Sequence, residues 1–456
     1  MITILCPDNN WTERNYSIDI IFTEFLAIEY QLKRQDGLRN YEIILTNKNK
    51  LIIQDHFFSN FNADLEYLNI NNLPDDIQFT RNRFLPENDI PIIYGTSEFK
   101  IKERSSDTKE IVCGIDIFAS VFFMLTRWEE YVCEEKDQLQ RFSGKSSIAF
   151  KNNFLHRPVV NEYCEFLWNM LVFLGIEAKR KPRIFTPYLT HDVDYILKWY
   201  NFYTSMRALV ADIIKKGSLK AFFYNMSDYF KTKLKKKEDP FDTFDYLMDI
   251  SELHGLNSHF FFMSDFSTRS SIGYKLSHPF VGNLMHKITS RGHYIGFHPG
   301  LKTYDNPENW KKELDYLQSF SPQKILSGRQ HCLQFEVPTT WQIWNDLGME
   351  WDSSLSYDDE PGFRTGSCYT YSVFNFLKRE KLRLKEKPLT IMDKSLVFHH
   401  NNLSNKQLEE IAKNLVANVK KYNGDFVLLW HNSCFDTYEW EKYKGIFIKI
   451  IESFNK

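Results

Sequence analysis

The sequence has little of what would assign it to several common protein classes. Its seven cysteines are scattered through 456 residues without a Cys-x-x-Cys pair. An odd and dispersed set argues against a disulfide framework or a thiolate zinc site and favours reduced thiols. Charge of neither sign dominates, because the formal net charge is -2. The overall charge therefore gives no reason to expect nucleic acid or an anionic membrane as a partner, and a neutral or modestly polar substrate fits better.

A long apolar run and a secretion signal are missing as well. The most apolar stretch, residues 111–126, contains Asp116 and runs directly into Arg127. Because a bilayer span needs about 20 apolar residues, this stretch predicts a buried helix instead. The first residues, MITILCPDNNW, have no basic start followed by an apolar run. No signal peptide is predicted, and we expect a cytoplasmic protein.

The length of the chain predicts two domains, since 456 residues exceed the about 100–200 residues of a typical domain. Residues 1–180 mix short apolar runs with helical patterns, which predicts an α+β domain. The sequence of this part shows no glycine-rich phosphate loop, no clustered metal ligands and no nucleophile motif. We interpret it as an accessory domain of unknown function. Residues 178–183 are charged and contain a proline, as is typical of a linker.

Residues 181–456 alternate between candidate strands and amphipathic helical stretches. Such a βα series predicts an α/β domain whose parallel sheet is closed, or nearly closed, into a barrel. In that architecture the chemistry collects at the carboxyl ends of the strands. Ser404 and Gln407 resemble a capping box that opens one of the helices. The seven candidate strands are residues 184–190, 258–263, 294–297, 325–329, 349–355, 389–392 and 426–430.

An insertion of residues 195–240 interrupts this alternation after the first candidate strand. It includes the basic run Lys-Thr-Lys-Leu-Lys-Lys-Lys at residues 231–237. A solvated helix end or loop accounts for such a run, and contact with an anionic surface or a phosphorylated sugar is the alternative. We assign the insertion no catalytic role.

Polar side chains stand at or just beyond the ends of five candidate strands. Asp192 and Asp194 are two residues apart, so one carboxylate can bind a metal while the other accepts a proton. His298 is suited to bind metal as a neutral imidazole, Arg329 can hold a catalytic carboxylate by a bidentate bond, and His431 can protonate a leaving amine or alcohol. The full set is Asp192, Asp194, His298, Arg329, His331, Asp352 and His431.

These residues resemble the motifs of the polysaccharide deacetylase family, carbohydrate esterase family 4, over about residues 184–435. The resemblance implies a distorted (β/α) barrel with one divalent metal ion, which we expect to be zinc. The stretch Thr190-His191-Asp192-Val193-Asp194 looks like the signature of a divergent bacterial branch. Members of that branch carry an uncharacterised N-terminal domain similar to residues 1–180.

The resemblance also implies a set of metal ligands. Asp194 takes the place of the metal-binding aspartate of the family, and His298 matches one of its two metal-binding histidines. Lys302 stands where the family has the second histidine. His331 would restore three protein ligands, and His191 is the reserve candidate.

The catalytic roles follow from the same resemblance. Asp192 is similar to the catalytic base of the family, and Arg329 looks like the arginine of its third motif. Leu429-Trp430-His431 resembles the fifth motif, which gives His431 the role of general acid.

The implied activity is metal-dependent hydrolysis that removes N- or O-acetyl groups from an amino sugar or polysaccharide. The expected partner is therefore an acetylated sugar or polysaccharide, with no nucleic acid and no membrane span. Two alternatives stay open at this point. One is a catalytically silent homologue that binds carbohydrate or serves as a scaffold. The other is an amidohydrolase acting on a nucleotide-sugar or lipid-linked glycan precursor, which is consistent with the missing signal peptide.

Overall fold

The computed structural model describes residues 2–105, 108–214, 217–264, 274–400 and 402–455. It is a mixed α/β structure with one large sheet of six strands and another of nine. The mixed α/β class expected from the sequence is confirmed. Within the described ranges, no helix combines the length and the apolar character that crossing a membrane requires.

The six-stranded sheet lies in the first part of the chain. The strands of this part are β1 Ile2–Cys6, β2 Tyr30–Arg34, β3 Tyr41–Ile44, β4 Lys50–Ile53, β5 Phe79–Thr80, β6 Ile90–Pro91, β7 Gly95–Ser105 and β8 Thr108–Ile115. The short strands β5 and β6 pair with each other, and the rest form a mixed sheet in the order β2-β1-β3-β4-β8-β7. The helices of this part are α1 Trp11–Asp19, α2 Ile117–Thr126, α3 Trp128–Val132, α4 Ile148–Lys151 and α5 Val159–Phe173.

Residues 111–126 are almost all buried, but they form a strand and a helix instead of the single helix predicted. The strand β8 extends to Ile115, and α2 begins at Ile117. Asp116 sets this boundary, because its carboxylate accepts a 3.1 Å hydrogen bond from Ala119 N and caps the helix. The β-branched residues before Asp116 favour the extended backbone.

The nine-stranded sheet lies in the second part of the chain. Its strands are β9 Thr186–Val193, β10 Ser258–Phe262, β11 Tyr294–Phe297, β12 Ser327–Gly328, β13 Trp351–Asp352, β14 Tyr371–Asn375, β15 Glu380–Glu386, β16 Ile391–Met392 and β17 Asp425–Leu429. Their order is β14-β15-β13-β12-β11-β10-β9-β17-β16. The pairings are parallel except that of β14 with β15. In the described part of the chain the end strands β14 and β16 do not pair, so the pairings give an open sheet and close no barrel.

All seven candidate strands coincide with strands of this sheet, but β14 and β15 were not foreseen. β15 is hidden in the sequence by its polar composition, since its buried Leu382 and Leu384 alternate with charged residues that face outward. Its tight connection to β14 passes through Arg379, whose φ of 57° is in the left-handed region. The expected count of about seven strands is therefore low by this one hairpin.

Helices cover the connections between these strands. They are α6 Phe202–Ile214, α7 Leu219–Lys233, α8 Phe244–Leu253, α9 Pro279–Ser290, α10 Pro307–Gln318, α11 Thr339–Asp346, α12 Asp393–Val397, α13 Asn405–Lys421 and α14 Lys444–Glu452. The predicted capping box opens α13, where Ser404 Oγ accepts from Gln407 N and Gln407 Oε1 accepts from Ser404 N.

The two parts of the chain share one continuous apolar core. Tyr16 of α1 donates a 2.9 Å hydrogen bond to Ser372 O in β14. Phe122 of α2 packs against Phe374 of β14 with ring centroids 5.6 Å apart. The hairpin β14/β15 of the second sheet therefore packs against α1 and α2 of the first part.

Candidate metal centre and active site

The predicted site residues gather at the carboxyl edge of the second sheet. Asp192 lies near the end of β9, and Asp194 follows that strand directly. His298 and Arg329 are the first residues after β11 and β12, and His431 comes two residues after β17. Because β11, β12, β9 and β17 lie within five consecutive positions of one parallel sheet, their ends converge on one region.

A close approach of two strands brings His298 and Arg329 together. A Cβ atom on Gly328 would lie 1.9 Å from Phe297 O, so glycine is required there. This close approach allows Arg329 N to donate a 3.0 Å hydrogen bond to Phe297 O. The His298 ring then donates from Nδ1 to Arg329 O at 2.7 Å. With Nδ1 committed in this way, His298 presents the lone pair of Nε2 to the site.

Three potential metal ligands form a compact triangle. His298 Nε2 and His331 Nδ1 are 3.0 Å apart, and Asp194 Oδ1 lies 3.4 Å from each of them. Ligand atoms bound to zinc at about 2.0–2.1 Å in a tetrahedral site are about 3.3 Å apart. Asp194 Oδ1 is buried and accepts no hydrogen bond of normal geometry from the residues that the structure describes. The three side chains therefore fit a divalent cation.

Charge in this triangle also favours a cation. Burial alone would raise the pKa of the Asp194 carboxyl, but His331, His298 and Lys394 more than offset it and hold this pKa well below its ordinary value. Burial alone would lower the pKa of His331, but Asp194 reverses the effect and raises it to about 10. A nearby positive charge therefore stabilises the buried Asp194 carboxylate, and a proton on His331 or a metal ion can supply that charge.

Asp192 is anchored beside the triangle by Arg329. Arg329 Nη1 donates to Asp192 Oδ1 at 2.9 Å and to Thr190 Oγ1 at 3.0 Å. Its Nε and Nη2 atoms donate to Ser353 O and Oγ. The prediction of a bidentate bond is therefore wrong, because only Nη1 donates to Asp192, whereas Nε and Nη2 donate to Ser353. The second oxygen, Asp192 Oδ2, is left 3.7 Å from His298 Nε2.

His431 stands on another side of the triangle and is oriented by Asp393. Both carboxylate oxygens of Asp393 lie 2.9 Å from His431 Nδ1, and one of them accepts a 2.6 Å bond from His431 N. Burial opposes ionisation of Asp393, but His431 lowers the pKa of this carboxyl below its ordinary value. The imidazole therefore directs Nε2 toward the site, where it lies 3.7 Å from Asp194 Oδ2.

Lys394 adds a cation to the same region. Its Nζ atom is 3.4 Å from His431 Nε2 and 3.7 Å from Asp194 Oδ2. Sequence reasoning missed both Asp393 and Lys394. Their position in the sequence could have indicated them, because they directly follow the candidate strand at residues 389–392. The other site residues occupy the same position after their strands.

A second group of possible ligands, Asp393, His431 and Cys434, also lies within ligand-to-ligand distance. Burial raises the pKa of the Cys434 thiol well above its ordinary value, which disfavours formation of the thiolate that binds metal. His431 Nδ1 is already bound to Asp393. The triangle around Asp194 is therefore the better cation site.

Other residues from the sequence analysis lie apart from the triangle. His191 points away from it, because its ring nitrogens contact Trp430 O at 2.7 Å and Ser258 Oγ at 3.0 Å. Burial lowers the pKa of His191 to about 4. The carboxylate of Asp352 accepts from Ser354 Oγ at 2.6 Å. His191, the reserve ligand, and Asp352 therefore stabilise the packing of the sheet.

Comparisons with known proteins give limited similarity. Residues 2–175 match the model of a family described as a family of unknown function, DUF7033. No curated protein matches the chain. Among solved structures, a candidate polysaccharide deacetylase from Mycobacterium smegmatis is 14% identical with a TM-score of 0.37, over 61% of this chain and 85% of that one.

A pseudoenzyme of the CE4 family from Bacillus anthracis is 11% identical with a TM-score of 0.30, over 60% of this chain and 62% of that one. A mutant of this pseudoenzyme with restored enzymatic activity is 11% identical with a TM-score of 0.31, over 60% of this chain and 64% of that one. The chain thus spans less than two thirds of these pseudoenzyme chains. At such identities and TM-scores, the neighbours assign neither a reaction nor a substrate to this protein.

Proposed function

We propose that this protein is a metal-dependent hydrolase that removes acetyl groups from an amino sugar or a polysaccharide. The triangle of Asp194, His298 and His331 carries this proposal, because it stands between Asp192 on one side and His431 on the other. A cation site flanked by a carboxylate and an oriented imidazole is the arrangement that hydrolysis of an amide or ester needs.

The three residues would hold one divalent ion, which we take to be zinc, and leave a coordination position open. When bound, the ion supplies Lewis acidity that polarises the acetyl carbonyl. With the ion bound, His331 would release its proton, both histidines would present neutral nitrogen donors, and the single carboxylate of Asp194 would balance part of the charge. Asp192 remains outside this ligand set, because Arg329 occupies its Oδ1.

Asp192 is the proposed general base. Its Oδ2 atom is the oxygen that Arg329 does not bind, and it faces the triangle. Asp192 would take a proton from the water that attacks the acetyl carbon. The Arg329 guanidinium keeps the carboxylate in place during this transfer.

His431 is the proposed general acid. Its Nε2 atom would donate a proton to the sugar nitrogen or oxygen as the bond to the acetyl carbon breaks, so that acetate and a free amine or alcohol result. Asp393 stabilises the charged imidazolium and fixes the ring so that Nδ1 stays on the carboxylate.

We further infer that residues 181–456 form the catalytic domain, as a distorted (β/α) barrel that is open between β14 and β16, and that residues 1–180 form an accessory domain. The carboxyl-edge position of every proposed catalytic residue supports the first assignment.

The test measures metal content and acetate release by the full chain. Elemental analysis after zinc loading should give one ion per chain, and acetylated chitooligosaccharides or O-acetylated xylan should release acetate. Chelation should abolish the release, and added zinc should restore it. Protein that binds no divalent metal and releases no acetate would instead fit a catalytically silent carbohydrate-binding homologue.

Lys394 favours one narrower candidate, an amidohydrolase on a nucleotide-sugar or lipid-linked glycan precursor. A part-exposed ammonium group beside the general acid suits a substrate that carries a phosphate. We expect K394M to raise the KM for such a substrate about tenfold, and to leave the KM for a neutral acetylated oligosaccharide within about twofold, in line with loss of one charged hydrogen bond. An equal rise for both substrates would argue against this candidate.

A further inference from the structure

The insertion between β9 and α8 forms two helices with an unusual distribution of apolar side chains. It leaves the sheet directly after Asp194, so it begins at the edge that carries the candidate site. Its helices α6 and α7 contact each other. We refer to the described residues 202–214 and 217–234 as the helical hairpin.

On α7 an apolar stripe faces solvent. Its members recur at helical spacing and are each between 56% and 64% exposed: Leu219, Phe223, Phe230 and Leu234. The opposite face of this helix is the buried one, and it is small or polar: Ala221, Asn225 and Asp228. This is the reverse of a helix packed on an apolar core, where the apolar face is the covered one.

α6 repeats the pattern. Tyr203, Val210 and Ile214 also lie at helical spacing and are between 51% and 77% exposed, whereas Ser205 and Leu209 on the other face are buried. Large apolar side chains that are exposed in a continuous stripe mark an interaction surface. Each of the two contacting helices therefore exposes several large apolar side chains on one face, which is more than an isolated exposed residue.

The attachment of the hairpin explains why its polar face is turned inward. Asp228 accepts from Trp199 Nε1 at 2.9 Å and from Lys237 Nζ at 2.8 Å. Asp239 accepts from the backbone nitrogens of Lys198 and Trp199. The buried carboxylate of Asp228 and the half-buried one of Asp239 tie the hairpin to the connection after β9 and leave the apolar stripes pointing outward.

The insertion that contains the hairpin is also basic, unlike the chain as a whole. Residues 195–240 contain ten lysine and arginine residues but four aspartate and glutamate residues, a formal charge of +6, whereas the whole chain has -2. Several lysines next to the apolar stripes are exposed and make no ion pair with the residues that the structure describes: Lys220, Lys231, Lys235 and Lys236.

We propose that the helical hairpin binds the surface of an anionic lipid bilayer, with its apolar side chains inserted among the headgroups and its lysines on the lipid phosphates. Exposed phenylalanine, leucine and isoleucine flanked by lysine are the composition of an interfacial helix. Charge complementarity favours this partner, since anionic headgroups neutralise the formal charge of +6 that residues 195–240 carry. A second copy of the chain would instead place two such charges face to face.

Binding of the hairpin to a bilayer would also orient the candidate site relative to the membrane. Because only residues 195–201 separate the hairpin from Asp194, bilayer binding would hold the carboxyl edge of the sheet near the membrane. The proposal concerns the surface of the hairpin and is independent of the reaction that the site performs.

The experiment is co-sedimentation of the full chain with vesicles of phosphatidylcholine that contain phosphatidylglycerol, and with vesicles of phosphatidylcholine alone. We expect binding to the anionic vesicles, little binding to the neutral ones, and weakening as salt is added. The variant L219S/F223S/F230S should bind at least about tenfold more weakly, because it removes the inserted side chains. K220Q/K231Q/K235Q should lose about fivefold per lysine.

The matched control is L253S, at a leucine of α8 that is 77% exposed and lies outside the hairpin. It should bind like the wild type, and circular dichroism should show that all variants are folded. Failure of the wild type to bind anionic vesicles overturns the proposal, as does wild-type binding by L219S/F223S/F230S. A dimer in solution that this variant dissociates, without vesicle binding, would assign the surface to a second copy.

Discussion

Arg329 donates a 2.9 Å hydrogen bond from Nη1 to Asp192 Oδ1, and both side chains of this pair are almost completely buried. The guanidinium also lies 5.1 Å from the centre of the Phe261 ring. Arg329 thus links three strands of the second sheet, because Asp192 belongs to β9, Phe261 to β10, and Arg329 itself follows β12. The same residue supports the sheet and holds the proposed base.

Removal of Arg329 should therefore affect stability as well as activity. We expect R329A to lower the free energy of unfolding by about 3–5 kcal/mol, since it leaves the Asp192 carboxylate buried without its partner. Urea denaturation measures this loss. The comparison variant is K311A, which breaks the exposed pair Lys311–Asp315 and should change stability by less than about 1 kcal/mol. Similar values for both variants would contradict the role given to the buried pair.

The proposed base and acid should be needed for turnover. Acid–base residues contribute about 10²–10⁴-fold each, so we expect D192N and H431A to lower kcat at least about a hundredfold. Asparagine keeps an acceptor oxygen for Arg329, so D192N should stay folded by circular dichroism. Turnover by purified D192N at the wild-type rate would remove Asp192 from the mechanism.

The metal ligands are tested without reference to activity. The double variant D194A/H298A should lose zinc in elemental analysis, because only His331 of the triangle remains. H191Q provides the control, since His191 faces Trp430 and Ser258 and should retain a full equivalent of zinc. Retention by the double variant, or loss by H191Q, would refute the assigned ligands.

Lys387 should make stability depend on alkaline pH. Its Nζ atom lies 3.2 Å from the centre of the Tyr188 ring, and burial lowers its pKa from 10.5 to about 8. Between these values the unfolded chain binds more protons than the folded one, so the free energy of unfolding contributed by this group rises with pH. At about pH 7 both states are charged and the folded state bears the full cost of the buried charge.

We therefore expect K387M to be more stable than the wild type by about 1–3 kcal/mol at pH 7, since the cation–π contact offsets part of the cost. The difference should shrink as the pH rises from about 8 to about 10.5. Urea denaturation across this range measures it, with K33M at an exposed lysine as the control. A difference that stays constant with pH would contradict the lowered pKa.

Much of the second sheet could be predicted because its signals are local. Short apolar runs rich in β-branched or aromatic residues coincide with seven of its nine strands. β15 escaped prediction because its charged residues face solvent while Leu382 and Leu384 pack inward, so the run does not look apolar. For residues 111–115 the strand was missed, because a buried strand and a buried helix are equally apolar in composition.

The site was only partly predictable for a related reason. That Asp192, His298 and Arg329 lie at one edge follows from their positions after parallel strands. The inward direction of Asp192 and the outward direction of His191 follow from alternation along a strand. Asp393 was overlooked, although it follows its strand in the same way, because its partner His431 is distant in sequence.

The sequence by itself determined the approximate position of seven of the nine strands of the second sheet, which polar residues follow them, and that residues 195–240 are basic. Each of these properties resides in a short stretch of chain. Only the tertiary structure decided that Asp194, His298 and His331 meet within 3.0–3.4 Å, that Asp393 orients His431, and that the apolar stripes of the hairpin face solvent. Distances between side chains on different strands depend on the order and register of the sheet, and these arise from the packing of the whole chain.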